Sequence, residues 1–138
     1  MKSCFMFGHR ETNDRIYPQI VSAAERCIRD YGVNEFIVGH YGGFDRLAKR
    51  AILEIKRTCP VRLTLLLPYH PMSGEGFTGY DGTLYPFDGY VPPRTAIVRA
   101  NRMVIDGSAC VIAYVRHSGN AAGFLEYARK KGKAIILL

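Results

Sequence analysis

The sequence predicts an α/β protein in which helices cover both faces of one parallel sheet. Short apolar runs without polar alternation recur along the chain, and such runs are typical of strands buried on both faces. They alternate with longer segments whose apolar residues return at the spacing of one helix face. The length of 138 residues corresponds to one domain, so we predict a single domain over residues 1–138.

The first half of the chain predicts three strands and two helices. Residues 3–7 form an apolar run that ends at a glycine, which predicts a buried strand and a loop. Apolar residues at helical spacing predict a helix over 13–31, which also ends at a glycine. Residues 35–38 are a second apolar run, and 44–55 carry one apolar face opposite lysines and arginines. Residues 61–67 are too apolar to be half solvated, which predicts a central strand.

A long insert, residues 68–93, then interrupts the alternation. It holds five of the seven prolines, five of the fourteen glycines and six of the sixteen aromatic residues, and it has no helical period. Such a stretch in a compact domain is a functional lid or a disordered insert, and the aromatic residues favour the lid. Those rings could stack on a bound base, or they could fix the insert to the sheet or to a second subunit.

The second half restores the alternation of helices and strands. Apolar spacing predicts a helix over 94–105 and a strand over 110–114. A turn at 118–120 leads to a helix over 121–131, and residues 134–138 form a last strand. Five strands alternating with four helices predict a three-layer, Rossmann-like, doubly wound sheet with right-handed crossovers and a long insert after the third strand.

Composition and charge narrow the classes of function. With 48% hydrophobic and 22% charged residues, the chain is neither disordered nor fibrous. No apolar run approaches ~20 residues and no signal-peptide pattern opens the chain, so we expect a cytoplasmic protein with no membrane partner. The net charge of +7 favours anionic ligands.

The cysteines and histidines predict no metal site and no cofactor. Four cysteines are widely spread and form no C-x-x-C pair, which argues against a zinc knuckle and favours reduced, mostly buried thiols. His40, His70 and His117 stand at no ligand spacing with one another or with a cysteine.

The doubly wound fold directs attention to the loops that follow the strands. Ligands of such sheets bind outside the carboxyl ends of the strands, near the point where the strand order reverses. Three of these loops lead into helices, where we expect free backbone N–H groups to attract phosphate or carboxylate. Neither a G-x-G-x-x-G pattern nor the Lys-Ser/Thr ending of a Walker A loop is present, so both common nucleotide motifs are absent.

Three segments carry a resemblance to a known family. They are the strand-plus-Gly-His-Arg opening at residues 4–10, the Gly-Gly-Phe-Asp-Arg-Leu-Ala segment at 42–48, and the order of motifs over 99–133. Across roughly residues 1–67 and 93–138, the chain resembles YpsA-like members of the SLOG superfamily. This Rossmann-like superfamily also includes DprA and the Lonely Guy phosphoribohydrolases.

The resemblance implies a pocket for a nucleotide or a nucleotide-derived ligand. It would be built from the glycine-rich turns after the first, second and fourth strands. The positions that match are Gly8, His9, Arg10, Gly42, Gly43, Asp45, Ser118, Gly119 and Asn120.

Several of these residues also have a purely structural interpretation. Arg10 could pair with a nearby carboxylate, and Asp45 favours the helix dipole without any ligand, although it could also bind a ribose hydroxyl. Residues 118–120 could bind phosphate or simply cap a helix. Arg99 and Arg102 share a helix face, which is either a phosphate contact or a solvated basic face, with a bridge to Asp106 as an alternative.

Three functions follow as alternatives. The first is binding of a nucleotide or an ADP-ribose-like compound, with phosphate on the glycine turns and the base under the insert. The second is N-glycosidic hydrolysis of a nucleoside monophosphate, with Asp45 or Glu126 as catalytic carboxylate. The third is binding of single-stranded nucleic acid, which the acidic insert disfavours. A homodimer is frequent in the family that the chain resembles, and the insert would suit one.

Overall fold

One sheet of six parallel strands forms the centre of the computed structural model, which describes residues 1–69 and 77–138. The strands of this described part are β1 (Ser3–Gly8), β2 (Glu35–Val38), β3 (Arg62–Leu66), β4 (Gly82–Leu84), β5 (Cys110–Tyr114) and β6 (Ala134–Leu137). Their order across the sheet is β4-β3-β2-β1-β5-β6. The predicted doubly wound parallel sheet is therefore confirmed, with one strand more than the sequence indicated.

Helices cover both faces of this sheet. They are α1 (Tyr17–Tyr31), α2 (Gly43–Ile55), α3 (Pro93–Gly107) and α4 (Asn120–Lys130). A short 3-10 helix, Asp14–Ile16, precedes α1. The α1–α2 pair packs on one face and the α3–α4 pair on the other, as the predicted three layers require. Within the described residues, no helix has the length and apolar character needed to cross a bilayer.

The central strand β1 is buried on both faces. Successive side chains of a strand point to opposite faces of the sheet. Cys4 and Met6 accordingly enter the core under α1 and α2, whereas Phe5 and Phe7 enter the core under α3 and α4. This double burial is the physical reason for the continuous apolar run in the sequence.

The strand order reverses at β1. From β1 the chain proceeds through β2, β3 and β4 to one edge, then returns to β5 on the other side of β1 and continues to β6. β1 pairs with both β2 and β5, so the loops that leave β1 and β5 diverge onto opposite faces. A crevice opens between such loops at the carboxyl ends of the strands.

The insert contains regular structure that the sequence did not indicate. Its residues 82–84 are strand β4, which pairs in parallel with β3 at the sheet edge. The Asp81 carboxylate holds this strand in place: it accepts the Leu63 N–H at 2.8 Å and pairs with Lys56. The hydrogen bond from Leu63 and the ammonium of Lys56 lower the pKa of Asp81. Residues 70–76, part of the predicted lid and including His70, lie outside the described residues.

Candidate functional site

A cleft of about 360 Å³ lies at the carboxyl end of β1, where the strand order reverses. Its walls are the loop after β1, the turn between β2 and α2, the turn between β5 and α4, and one side of α3. Eight of the residues predicted from the sequence line it: Gly8, His9, Arg10, Gly42, Asp45, Ser118, Gly119 and Asn120. The fold thus brings most of the predicted site together, although the predicted residues are spread over more than 110 positions of the chain.

The inner wall of the cleft is apolar. Phe5 and Phe7 of β1, Leu66 of β3 and Phe124 of α4 line it, and all four side chains are buried. Phe7 and Phe124 meet edge to face with their ring centroids 5.9 Å apart. A cleft with an apolar wall and a few polar groups at its mouth is the usual form of a small-molecule site.

The α4 turn, residues 115–119, opens toward the cleft. It ends at Gly119, whose φ of 138° and ψ of −165° belong to a region that glycine alone adopts readily. Within the described parts of the chain, no side chain caps the helix that follows. Among the described residues, the N–H groups of Asn120 and Ala121 have no protein acceptor, and both residues line the cleft. These amides and the positive end of the helix dipole attract an anion.

The α2 turn, residues 39–42, packs against the loop after β1, which accepts the first N–H groups of α2. The Gly43 N–H donates to the Arg10 carbonyl at 2.6 Å, and the Phe44 N–H donates to the His9 carbonyl at 3.3 Å. A Cβ on Gly42 would lie 2.6 Å from the Arg10 Cα, so glycine is required there by the contact between two loops. The first two N–H groups of this helix are thus occupied, and Gly43 is buried outside the lining of the cleft.

Asp45 places a carboxyl group in the cleft from the first turn of α2. The side chain is half-buried, and its Oδ2 accepts the Tyr41 N–H at 3.1 Å. Burial raises the pKa of Asp45 to about 6, although the hydrogen bond from Tyr41 acts in the opposite direction. A carboxyl group with such a pKa exchanges a proton near neutral pH and can accept or donate a hydrogen bond to a bound hydroxyl.

His9 ties the loop after β1 to the α4 turn. Its Nε2 accepts the backbone N–H of Arg116 at 2.7 Å and that of His117 at 3.3 Å. Its buried ring stacks on the ring of His117 with centroids 3.7 Å apart. Burial, followed by the charges of His117 and Arg116, lowers the pKa of His9. Because Nε2 is an acceptor, the proton of the neutral ring resides on Nδ1, and the main role of this residue is to position the turn.

Arg10 is the cationic side chain that the cleft receives from the loop after β1. It is exposed, it lines the cleft, and among the described residues no carboxylate lies within ion-pair distance of it. Within the described residues, Arg10 therefore does not form the ion pair that the sequence left open as an alternative. The guanidinium is free to meet an anion on the ligand.

Besides Gly43, three of the predicted site residues, Arg99, Arg102 and Glu126, lie outside the lining of the cleft. The guanidinium of Arg99 is 5.7 Å from the Phe87 ring centroid, and that of Arg102 is 5.2 Å from the Tyr127 centroid. Asp106 contacts Tyr127 and Lys131, so the alternative bridge from Arg102 is absent from the described contacts. Glu126 is exposed on α4. These three positions remain predictions without support from the geometry of the cleft.

Sequence reasoning missed Ile97, Asn101 and His117, which do line the cleft. Ile97 and Asn101 are four residues apart on α3, and the Asn101 Nδ2 donates to the Ile97 carbonyl at 2.7 Å. The cleft therefore meets a different face of α3 from the one that carries Arg99 and Arg102. For His117 a signal existed, because it directly precedes the predicted Ser118-Gly119-Asn120 turn.

The described part of the insert contributes little to the cleft. Only Pro68, at its start, belongs to the lining. Tyr80 packs against the core under α1 and α2, and Leu84 and Phe87 pack against the core under α3 and α4. Among the described residues, these side chains therefore hold the insert on the sheet. This is the alternative to stacking on a bound base that the sequence left open for Tyr80 and Phe87.

Neither a comparison of the chain with protein-family models nor a comparison with curated proteins finds a match. The indications of function therefore come from the cleft itself. It combines amides and a guanidinium that have no partner within residues 1–69 and 77–138, a half-buried carboxyl group and an apolar wall.

Proposed function

We propose that the chain binds a nucleotide or a nucleotide-derived small molecule, of the nucleoside phosphate or ADP-ribose type, in this cleft. The observation that carries the proposal is the convergence of the α4 amides, Arg10 and Asp45 on one cleft where the strand order reverses. Such a ligand has an anionic end, hydroxyl groups and a flat apolar base, and each has a chemical counterpart in the cleft.

The phosphate end is matched by the α4 turn and Arg10. The N–H groups of Asn120 and Ala121 lie at a helix start that has no side-chain cap in the described part of the chain. The Arg10 guanidinium can add hydrogen bonds to phosphate oxygens, and charge-assisted bonds of this kind are about twice as strong as neutral ones. The net charge of +7 draws anions to the protein in general.

The sugar and the base are matched by Asp45 and the apolar wall. Ribose hydroxyls are donors, and the half-buried Asp45 carboxyl group has an oxygen beyond the one bonded to Tyr41. A base would contact the apolar side chains of Phe7, Ile97 and Phe124. The cleft volume of about 360 Å³ falls in the range of about 300–1,000 Å³ typical of small-molecule sites.

Membership of the SLOG superfamily is part of the same proposal. The cleft is formed by the segments that carry the resemblance, the Gly-His-Arg opening, the Gly-Gly-Phe-Asp segment and the Ser-Gly-Asn turn. A parallel sheet whose order reverses at β1 is compatible with a Rossmann-like family. These observations support the proposal through the placement of the motifs.

Ligand binding is tested by thermal shift against AMP, ADP, ADP-ribose, NAD and cyclic nucleotides, because a ligand that binds the folded state raises the melting temperature. Arg10→Ala should weaken binding by about tenfold or more, since a hydrogen bond to a charged group contributes ~1.5 kcal/mol or more. Arg99→Ala is the matched control, because it removes the same charge outside the cleft. A panel without any shift at millimolar ligand, or equal losses in both variants, would contradict the proposal.

One observation favours hydrolysis of an N-glycosidic bond as a second candidate. The pKa of about 6 gives Asp45 both protonation states near neutral pH, as a general acid or base needs. Incubation with nucleoside monophosphates should then release free base, detected by chromatography, and Asp45→Asn should abolish the release. Glu126, the other predicted carboxylate, is exposed away from the cleft lining, so Glu126→Gln serves as the control.

A further inference from the structure

Three cysteines that are far apart in the sequence meet in the core on the opposite side of β1 from Phe5 and Phe7. Cys4 lies on β1, Cys27 on α1 and Cys110 on β5. The Sγ atoms of Cys27 and Cys110 are 3.3 Å apart, and those of Cys4 and Cys27 are 3.9 Å apart. All three Sγ atoms lie within 4.8 Å of one another, and all three residues are fully buried.

The spacing of the three sulfur atoms fits an ion held by three thiolates. Thiolate sulfur binds a borderline or soft ion at ~2.3 Å, and three such bonds place the sulfur atoms about 4.0 Å apart around a planar ion and about 3.4 Å apart around a pyramidal ion that carries a lone pair. The separations of 3.3 and 3.9 Å lie around these two values, and the third is at most 4.8 Å. Small side-chain rotations would therefore complete the site without a change in the sheet.

The surroundings of the cluster decide which ion it would accept. Among the described residues no lysine or arginine is buried, and the core around the cluster is apolar. A complex with a net negative charge is strongly disfavoured in such a core. Three thiolates around a monovalent or divalent ion keep a negative charge, whereas a trivalent ion neutralises them.

We propose that Cys4, Cys27 and Cys110 form a binding site for a trivalent, thiophilic ion of the arsenic(III) or antimony(III) type. With arsenous acid, three As–O bonds break and three As–S bonds form. Each thiol proton leaves with a hydroxide as water, so one As(OH)₃ and three thiols give one As(SR)₃ and three waters. Nothing is oxidised or reduced, and both the incoming acid and the final complex are uncharged.

A groove on the α1 side of the sheet lies on the same side as the cluster. It has a volume of about 440 Å³ and lies between α1 and the end of β6. Ala23 lines it, and Cys27 follows Ala23 by four residues on the same face of α1. Because all three cysteines are fully buried, a small neutral molecule in this groove would reach the cluster only if α1 moved away from the sheet.

Native mass spectrometry of the intact, reduced protein with sodium arsenite tests the site. We expect one arsenic per chain, with a mass that corresponds to the loss of three waters. Loss of two waters would show a two-thiol complex that keeps one hydroxyl, and it would overturn the three-cysteine site. Cys27→Ala should lose the three-thiol complex, whereas Cys59→Ala, which changes the half-buried cysteine outside the cluster, should keep it.

Alkylation of the wild-type protein gives a result that does not depend on how well a variant folds. Folded protein is incubated with arsenite, unfolded in denaturant and treated at once with a maleimide, and the modified peptides are mapped. Cys59 should be labelled, while Cys4, Cys27 and Cys110 should be protected relative to a sample without arsenite. Equal labelling of all four cysteines, or arsenite uptake only after unfolding, would overturn the proposal and show that the cluster is ordinary core packing.

Discussion

The α2 turn and the α4 turn resemble each other in the sequence but differ in the partners of their amides. Each turn follows a buried strand, contains glycine and begins a helix beside the same cleft. In the α2 turn, the first amides of the helix donate to the carbonyls of His9 and Arg10. In the α4 turn, the corresponding amides of Asn120 and Ala121 have no acceptor among the described residues.

This difference separates two reasons for a glycine at a turn before a helix. Gly42 is required because another backbone passes at a distance that leaves no room for a Cβ. Gly119 has nothing within 4 Å of such a Cβ, and it is required by its backbone conformation alone. The α2 turn therefore contributes to stability, and the α4 turn is the better candidate for ligand binding.

Gly42→Ala should have the largest effect on folding. The added Cβ would collide with the Arg10 backbone, and such overpacking costs about 2–3 kcal/mol. Denaturant unfolding monitored by circular dichroism measures the loss. Gly123→Ala is the matched control, because nothing lies within 4 Å and alanine favours a helix by up to ~1 kcal/mol. Equal stability of the Gly42 variant and the wild type would show that the two loops are not in contact.

Gly119→Ala should destabilise the protein less than Gly42→Ala does, but it should weaken nucleotide binding more. A non-glycine residue in this conformation costs about 1–2 kcal/mol, which the turn can relieve by moving because the space around it is open. That movement would redirect the α4 amides, so the thermal shift produced by a nucleotide should disappear. If binding survived while stability fell, the anion site would have to lie elsewhere in the cleft.

Asp45→Asn should stabilise the protein at pH 8. The pKa of Asp45 is about 6 in the folded state against 3.8 ordinarily, so the folded state favours the protonated form. This contribution is complete below pH 3.8 and is lost as the pH rises through 6. Asparagine keeps an acceptor for the Tyr41 N–H without the charge. We expect a gain of about 1 kcal/mol at pH 8, discounted for partial solvation, and none at pH 3.5.

The exposed Asp88 provides the control for this prediction. Asp88→Asn removes the same charge and should leave the unfolding free energy unchanged at both pH values. An equal gain in both variants would assign the effect to net charge rather than to the burial of Asp45.

The smallest expected effect concerns His9. Its pKa is lowered from 6.5, so the unfolded chain binds a proton more readily and stability falls as the pH drops below 6.5. We expect a loss below about 1 kcal/mol, which His9→Gln should remove because its amide oxygen can accept the Arg116 N–H. Denaturant unfolding between pH 5 and pH 8 in the Asp45→Asn background removes the contribution of Asp45. The difference between the single and the double variant then isolates His9, because His40, whose pKa burial also lowers, is present in both. An unchanged slope in the double variant would show that another group titrates.

Most of the fold follows from the sequence because the strands are buried on both faces. Glu35–Val38 and Cys110–Tyr114 have the predicted bounds, since glycines, turns and helices delimit short apolar runs there. Strand β4 was missed because it has only three residues, none of them buried, within a segment rich in glycine and proline. Its pairing depends on Asp81, a contact that no local pattern reveals.

The site was predictable to the extent that loops at one sheet edge must meet. Helix orientation was not, because the rotation of α3 on the sheet determines that Ile97 and Asn101, rather than Arg99 and Arg102, face the cleft. The cysteine cluster could not be predicted from the sequence for a similar reason. Cys27 lies 23 residues from Cys4 and 83 from Cys110, and only the pairing of β1 with β5 under α1 brings them together.

The imidazole of His9 holds together two loops between which a ligand would bind. It accepts two N–H groups from the far side of the cleft, so the loop after β1 and the α4 turn are joined before anything binds. Walls fixed in advance lose little conformational entropy on association. A ligand would therefore bind between two loops that already hold their relative positions, and less of its binding energy would be spent on ordering them.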